Sequence, residues 1–417
     1  MRVEINAARL NDELKTLAGL TDCEPSDAGT AVTRVVFSEN DLRARKWLKG
    51  LYSQAGFDVR EDAVGNTFVR WVGSDASLAA VGTGSHTDAI PHAGMYDGTV
   101  GVLGGLEAMR ALKEAGYKPK RSIEMVMFTS EEPTRFGIGC LGSRLMAGTM
   151  DVAKADSLLD KDERALKDVR AEAGFAGTLE SAKLSAGHYS AWVELHIEQG
   201  PLLEREGVDI GIVTDIAAPA GYKILVEGVG GHAGALLMPD RKDALCAAAE
   251  IVLSLEKHTL ATGVIDSVGT VGTCDVHPGA VNSVPSRVLL QLDVRDTSPT
   301  RREGVMRGLR ADCAEIAKRR GVKITETLVN ADEPATCDAH ILDVIERACK
   351  GEGYSYKKMV SRAYHDSLFM ARVAPVAMVF IPCRAGVSHR PDEYSSPEAI
   401  AMGVRVLATA LAELASE

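Results

Sequence analysis

No C-x-x-C pair occurs in the 417 residues, and the eight cysteines (Cys23, Cys140, Cys246, Cys274, Cys313, Cys337, Cys349 and Cys383) are widely scattered. That scatter excludes a zinc ribbon. In a long chain without a secretion signal it implies reduced thiols, not a disulfide framework. Any metal must then be held by histidine and carboxylate. Basic residues are also in deficit: 47 Lys+Arg against 58 Asp+Glu leave a formal charge of −11, the opposite of the basic face that a general nucleic-acid binder needs. No apolar run approaches the ~20 residues that cross a bilayer, so no membrane partner is expected. The N-terminal stretch MRVEINAARLNDELKTLAGL sets acidic residues within its apolar pattern, unlike a signal peptide, and a cytoplasmic location is the expectation. Internal repeats and low-complexity tracts are absent from the sequence.

What remains is an ordinary globular composition, 46% hydrophobic and 25% charged, in a chain long enough to favour two domains. The first half alternates strands and helices. A helix over SENDLRARKWLKGLYSQAG precedes strands at FDVRED and NTFVRWV; AAVGTGS, a glycine-interrupted helix from near Gly98 and the apolar strand IEMVMFTS follow. This order predicts an α/β domain with a mostly parallel sheet and helices on both faces. Residues 150–187 read as surface helices and turns.

The middle of the chain changes character. YKILVEGV alternates; Leu245, Ala248, Val252 and Leu255 recur at helical spacing; strands follow near VIDSVGTVGT and RVLLQLDVR; a helix carries Val305, Leu309, Cys313 and Ile316; and VKITETLV closes the set. The order β-α-β-β-α-β predicts a ferredoxin-like α+β insertion. Beyond it come a helix bearing Ile341, Val344, Ile345 and Ala348, then the strand VAPVAMVFIP. The expected architecture is therefore a discontinuous two-domain chain: 1–215 and 332–417 form the larger domain, and 216–331 form the inserted one.

Ligands of open α/β sheets gather at the C-terminal ends of the strands. Four segments put polar residues there: His86 and Asp88, with Asp97 just before a helix; Glu131 and Glu132; His196; and His389. A lone histidine is usually structural, and a lone Glu pair is usually a solvated loop. Three histidines and three or more carboxylates, each following an apolar strand, predict a shared metal site. Imidazole and carboxylate suit Zn, Mn, Co or Ni. An Asp can bridge two ions, and a carboxylate that is not a ligand can move the proton of the attacking water.

The segments HTD…YDGTVGVLGGLEA, TSEEPTRFG, ELHIEQGPLLE, GGHAGALLMPDRKDA and SHRPDE resemble the co-catalytic metal amidohydrolases of the aminoacylase and carboxypeptidase superfamily. HIEQGPLLE and LGSR narrow the likeness to the branch of N-carbamoyl-L-amino acid hydrolases, allantoate amidohydrolases and ureidoglycolate amidohydrolases. The resemblance implies two divalent ions per subunit, Mn or Zn with Co or Ni also fitting. It implies His86, Asp97, Glu132, His196 and His389 as ligands with Asp97 bridging, Glu131 as general base, and Asp88 orienting His86. It also implies that the inserted domain is a lid that dimerises. His232 would then reach the partner subunit's active site to hold the oxyanion, making the expected assembly a homodimer. Gln199 would contact substrate, and Asn282 and Arg295 would grip the substrate carboxylate, since a guanidinium fork pairs bidentately where lysine cannot. Arg295 shares a strand face with Gln291 and Asp293, opposite Leu290, Leu292 and Val294.

All three branch members cleave a carbamoyl or ureido C–N bond beside a carboxylate. Two features favour ureidoglycolate: Pro133-Thr134 where the relatives usually show Gly-Ser, and Tyr364 in AYHD where they show AGHD. A tyrosine removes pocket volume and adds a phenolic hydrogen bond. The stretch PCRAGVSHRPDEYSSPE also resembles ureidoglycolate amidohydrolases. The expected reaction is hydrolysis to glyoxylate, ammonia and carbon dioxide, as in ureide catabolism. The alternatives are the two sister activities, a metallo-dipeptidase (relatives that carry a carboxylate at the position of His196) and a non-catalytic binding protein on the same fold. His188, His258, His277 and His340 are assigned to surface or loop, His92 to a loop, and His365 with Asp366 to a supporting pair.

Overall fold

The computed structural model describes residues 3–417 and divides into two compact units. One comprises the chain up to Thr214, Thr336–Met359 and His365–Glu417; the other comprises Asp215–Ala335 and a short second passage, Val360–Tyr364. That return passage has no signature in hydropathy and was not expected.

The larger unit is built on a nine-stranded sheet. Its centre is parallel: Val376–Ile381, Tyr189–Ile197, Ala80–His86 and Ile123–Phe128 lie side by side in that order. The expectation of a mostly parallel sheet is corrected at the flanks. Ile123–Phe128 pairs antiparallel with Thr67–Trp71, which pairs antiparallel with Asp58–Glu61, and Ile210–Ile216 runs antiparallel to Val376–Ile381. For the outermost pair the reason is local. Asp58–Glu61 and Thr67–Trp71 are joined by a tight turn closed on the Asp62 carboxylate, which accepts the amides of Val64, Gly65 and Asn66. A turn that short can join only antiparallel strands. The four central strands are buried almost throughout, as parallel strands covered on both faces must be.

Helix Thr99–Glu114 packs on Ala80–His86 and on helix Pro397–Ser416. Contrary to expectation, Pro397–Ser416 is long and apolar enough to cross a membrane by length and composition. Its Val404, Leu407, Ala408, Leu411 and Leu414 are buried in this unit, so the apolar surface is spent on the core. Residues 150–187 are likewise more than surface. Ala155, Leu166, Val169, Phe175, Leu179 and Ala182 pack with Phe37, Phe136 and Leu141 in a second core.

The smaller unit has a four-stranded antiparallel sheet in the order Val268–His277, Arg287–Asp296, Ala218–Glu227, Lys323–Ala331. Alternation in Arg287–Asp296 buries Val288, Leu290, Leu292 and Val294 against helices Ala244–Leu260 and Pro299–Arg320. The second helix starts where Ser298 caps Arg301 N–H and Pro299 sets the first turn, and it stops at Gly321 in the left-handed region. Two expectations shift. The strand near VIDSVGTVGT begins only at Val268, and the first helix turns Ala244, Ala247, Ala248, Ile251 and Leu255 inward while Leu245 is exposed and Val252 half-buried. A ribbon pairs Gly231–His232 with Ser283–Val284.

Candidate metal centre

His86 ends its strand, His196 is the penultimate residue of Tyr189–Ile197, and Glu131 and Glu132 follow Ile123–Phe128. The parallel centre thus delivers its polar residues to one edge. Asp97 arrives from the turn before helix Thr99–Glu114, whose N-terminal dipole favours a carboxylate. His389 arrives from the loop after Val376–Ile381. Ser130, Gln199 and His389 all have positive φ, the kind of backbone strain that concentrates where side chains must be aimed.

Asp97 is the hub. Its Oδ1 lies 3.5 Å from His86 Nε2 and 3.2 Å from His196 Nε2, while its Oδ2 lies 3.2 Å from His389 Nε2. Glu132 Oε1 is 3.4 Å from the same His389 nitrogen. Two triads result, His86–Asp97–His196 and Asp97–Glu132–His389, each able to surround one cation and sharing one carboxylate, oxygen by oxygen. Both buried imidazoles face Asp97 with a fixed tautomer. His86 Nδ1 donates to the Asp88 carbonyl at 3.0 Å and His196 Nδ1 to the Ile197 carbonyl at 2.9 Å. The Nε2 atoms are therefore turned inward, toward carboxylate oxygen, where a divalent ion would take the place of the protons these imidazoles otherwise share with Asp97. The donor set fits divalent ions.

The electrostatics agree. Burial works to lower the His86 imidazole, yet Glu131, Asp97 and Asp88 raise it well above its usual value. Burial would raise Asp97, and hydrogen bonds from His196, His389 and His86 hold it well below. Burial, reinforced by Glu132, Asp366 and Asp97 and opposed by His86, raises Glu131 well above the carboxylate range. Burial and Asp97 push Glu132 up to about 7. Positive charge added beside this carboxylate-rich cluster would favour the ionised form of Glu131.

Several expected roles differ in geometry. Asp88, expected to orient His86, meets it through its backbone carbonyl, its carboxylate lying 3.9 Å away. The Asp88 carboxylate instead accepts the amides of Glu131 and Glu132 at 3.2 and 3.0 Å. Gln199, expected on substrate, donates to Asp97 Oδ2 at 2.6 Å. In the smaller unit Arg295 holds Asp293, Nη2 to Oδ2 2.8 Å and Nε to Oδ1 3.0 Å, and its guanidinium lies 5.4 Å from the Tyr364 ring centre. Arg295, Asp293, Gln291 and Arg362 line a cleft of about 560 Å³. His232 and Asn282 are neighbours on the exposed ribbon, where Ala233 N–H meets the Asn282 carbonyl at 2.9 Å.

Other residues carry the site without having been expected there. Buried Glu393 accepts the amides of Tyr96 and Asp97 at 2.8 and 3.1 Å, and Ser388 Oγ lies 2.7 Å from it and 3.0 Å from Asp97. The signal was present in SHRPDE, but nothing in sequence says which carboxylate turns inward. Glu194, an acid inside an apolar strand, accepts from Ser85 and Ser367 hydroxyls at 2.8 and 2.6 Å. The Cys140 thiol, held protonated by burial and Glu131, lies 3.4 Å from Glu131 Oε1.

The sequence profile of Peptidase family M20/M25/M40 matches residues 82–413. The chain belongs to that family. The M20 family is metal-dependent, in keeping with the two triads. Among M20 relatives, the ureidoglycolate hydrolase of Oryza sativa subsp. japonica is 52% identical over 98% of this chain and 85% of its own. The N-carbamoyl-L-amino acid amidohydrolase of Geobacillus stearothermophilus is 38% identical over 90% of this chain and 91% of its own. The crystal structure of AtUAH in complex with glyoxylate superposes with a TM-score of 0.90 at 49% identity, covering 100% of this chain and 99% of that one.

Proposed function

We propose that this chain is a metal-dependent amidohydrolase that cleaves the ureido C–N bond of ureidoglycolate, releasing glyoxylate, ammonia and carbon dioxide. The observation that carries the chemistry is the division of Asp97, with one oxygen turned to His86 and His196 and the other to His389. The substrate rests on the relatives: 52% identity to a ureidoglycolate hydrolase against 38% to a carbamoylase.

In this reading His86, Asp97 and His196 hold one divalent ion and Asp97, Glu132 and His389 a second, Mn or Zn by donor type. When bound, such ions would supply Lewis acidity to polarise the ureido carbonyl and to make water a nucleophile near neutral pH. Glu131 takes the proton of the attacking water and passes it to the leaving nitrogen. Asp88 fixes the Glu131 and Glu132 amides so that both carboxylates keep their aim. Arg295 and Asn282 grip the substrate carboxylate, which competes with Asp293 for the guanidinium fork, and Tyr364 backs that fork with its ring. His232 holds the oxyanion in the partner subunit of a homodimer, with the inserted unit as lid, and the enzyme works in the cytoplasm.

The test is release of ammonia and glyoxylate by Mn²⁺-loaded protein from ureidoglycolate, allantoate and an N-carbamoyl-L-amino acid, run side by side. Preference for ureidoglycolate is expected. Preference for either other substrate keeps the metal mechanism and overturns the substrate.

A further inference from the structure

Arg34 ends the short strand Val32–Arg34, and its backbone is partnered with Ala89, directly after Asp88. Its side chain is fully buried, yet it meets three backbone carbonyls. Nε donates to Leu20 O at 2.9 Å, Nη2 to Leu17 O at 2.5 Å and Nη1 to Thr87 O at 2.7 Å. Burial pulls this guanidinium down to about 10, with Asp41, Asp88 and Asp22 acting the other way from a distance. Leu17 lies in the last turn of helix Ala7–Ala18 and Leu20 just beyond it. Carbonyls at a helix C-terminus carry its negative pole, and a cation there is favoured; the Leu17 carbonyl takes the guanidinium in addition to the Leu20 amide. Thr87 stands between His86 and Asp88.

One planar fork therefore joins the end of the N-terminal helix to a single turn. From that turn leave His86, aimed at Asp97, and Asp88, which clasps the amides of Glu131 and Glu132. All of the helix, and Arg34 itself, precede residue 82, where the family match begins. A lysine, with one nitrogen on a flexible stem, cannot reproduce three donors in a fixed plane.

We propose that Arg34 is a positioning residue for the metal site, setting the His86–Thr87–Asp88 turn and making the N-terminal helix a working part of that site. The inference rests on His86 being a metal ligand.

The experiment uses the full chain, stripped by chelation and titrated with Mn²⁺, with bound ion followed by calorimetry and electron paramagnetic resonance. Arg34→Lys is expected to weaken Mn²⁺ binding by about 10–100-fold, the usual cost of losing a group that orients a ligand; Arg34→Met should lose at least as much. Arg9→Met is the control. Arg9 ties the same helix to Glu107 and Glu114, each at 2.8 Å, without touching Thr87, so this variant should melt earlier and bind Mn²⁺ as wild type does. Wild-type affinity in Arg34→Lys overturns the proposal, and so does equal weakening in Arg9→Met, which would mean general loosening. A wild-type protein that binds no Mn²⁺ instead overturns the metal reading, and this inference falls with it.

Hydrogen exchange on the wild type needs no variant and decides the matter if the Arg34 variants do not fold. Coupling is reciprocal, so Mn²⁺ should slow exchange across residues 7–20. Unchanged exchange there, while residues 80–98 slow, overturns the proposal.

Discussion

Replacing Gly98 by alanine is expected to disable the site well beyond its effect on the fold. Gly98 combines a φ of 66° with a ψ of −41°, a sparsely populated conformation that costs an L-residue of order 1–3 kcal/mol. A Cβ at that position would lie 2.4 Å from His86 Nε2 and 2.5 Å from its Cδ2. Atoms in ordinary contact keep about 3.5 Å, so the ring must retreat by about an ångström. Nε2 is the atom that faces Asp97, and displacing a reacting constellation by about 1 Å costs on the order of 100-fold in turnover. That corresponds to about 2.7 kcal/mol of transition-state stabilisation. Gly116→Ala separates the two effects, because Gly116 also has positive φ, 77°, but a Cβ there meets nothing within 4 Å. Both variants should lose the backbone increment in denaturant unfolding, and only Gly98→Ala should lose kcat/KM for ureidoglycolate under saturating Mn²⁺. Wild-type turnover in Gly98→Ala would refute the placement of His86 in the centre.

Glu131→Gln should lower kcat by about 100- to 10,000-fold, the range for a general base, while metal analysis shows bound ion unchanged; retained turnover removes Glu131 as the base. Arg295→Lys should raise KM for ureidoglycolate with little change in kcat, and Asp293→Asn, which frees the fork, should lower KM; steady-state kinetics on both variants decide. Subunits carrying His232→Ala mixed with subunits carrying Glu131→Gln should recover partial activity if the histidine acts across a dimer, once mixed dimers are shown by native mass spectrometry. Burial would raise Glu124, but His188, Tyr189, Arg60 and Arg70 hold it at about 2, below the usual glutamate value of 4.5. A shift of that size corresponds to about 3 kcal/mol of stability. With the folded pKa depressed, this stability is complete above pH ~4.5 and disappears as pH falls through about 2. Urea unfolding of wild type and Glu124→Gln should therefore differ at pH 6 and converge at low pH.

The residues of the centre are legible because all but one follow an apolar strand of the parallel core, where direction alone fixes the end at which side chains emerge. Glu131 and Glu132 are found this way, as are His86, His196 and His389; Asp97 is found instead by its place just before a glycine-rich helix. What supports them is not legible. Asp88 acts through its carbonyl on one neighbour and its carboxylate on two others, and sequence does not distinguish backbone from side chain. Glu393 becomes a clasp for the Asp97 turn only because loops distant in the chain meet. His188, assigned to the surface, completes the Glu124 cluster. The phase of helix Ala244–Leu260 was misread because apolar residues occur nearly all round it, so alanines could take the inner face and leave Leu245 and Leu253 outside. The antiparallel pairing of Asp58–Glu61 with Thr67–Trp71 was missed because it depends on turn length, and that of Ile210–Ile216 with Val376–Ile381 because it joins segments distant in the chain; hydropathy records neither.

The strand order sets a schedule for making this protein. Val376–Ile381 is inserted between Tyr189–Ile197 and Ile210–Ile216, although the whole smaller unit is synthesised between them and it. As the chain leaves the ribosome, two strands must wait, apolar edges open, for a third that arrives more than 150 residues later by their numbering. His389 follows that strand, so a nascent chain can present His86, Asp97 and His196 long before the second triad exists. If the chain holds two ions as proposed, the first would find its ligands during synthesis and the second only afterwards. The waiting edges are the surfaces a chaperone would need to shield.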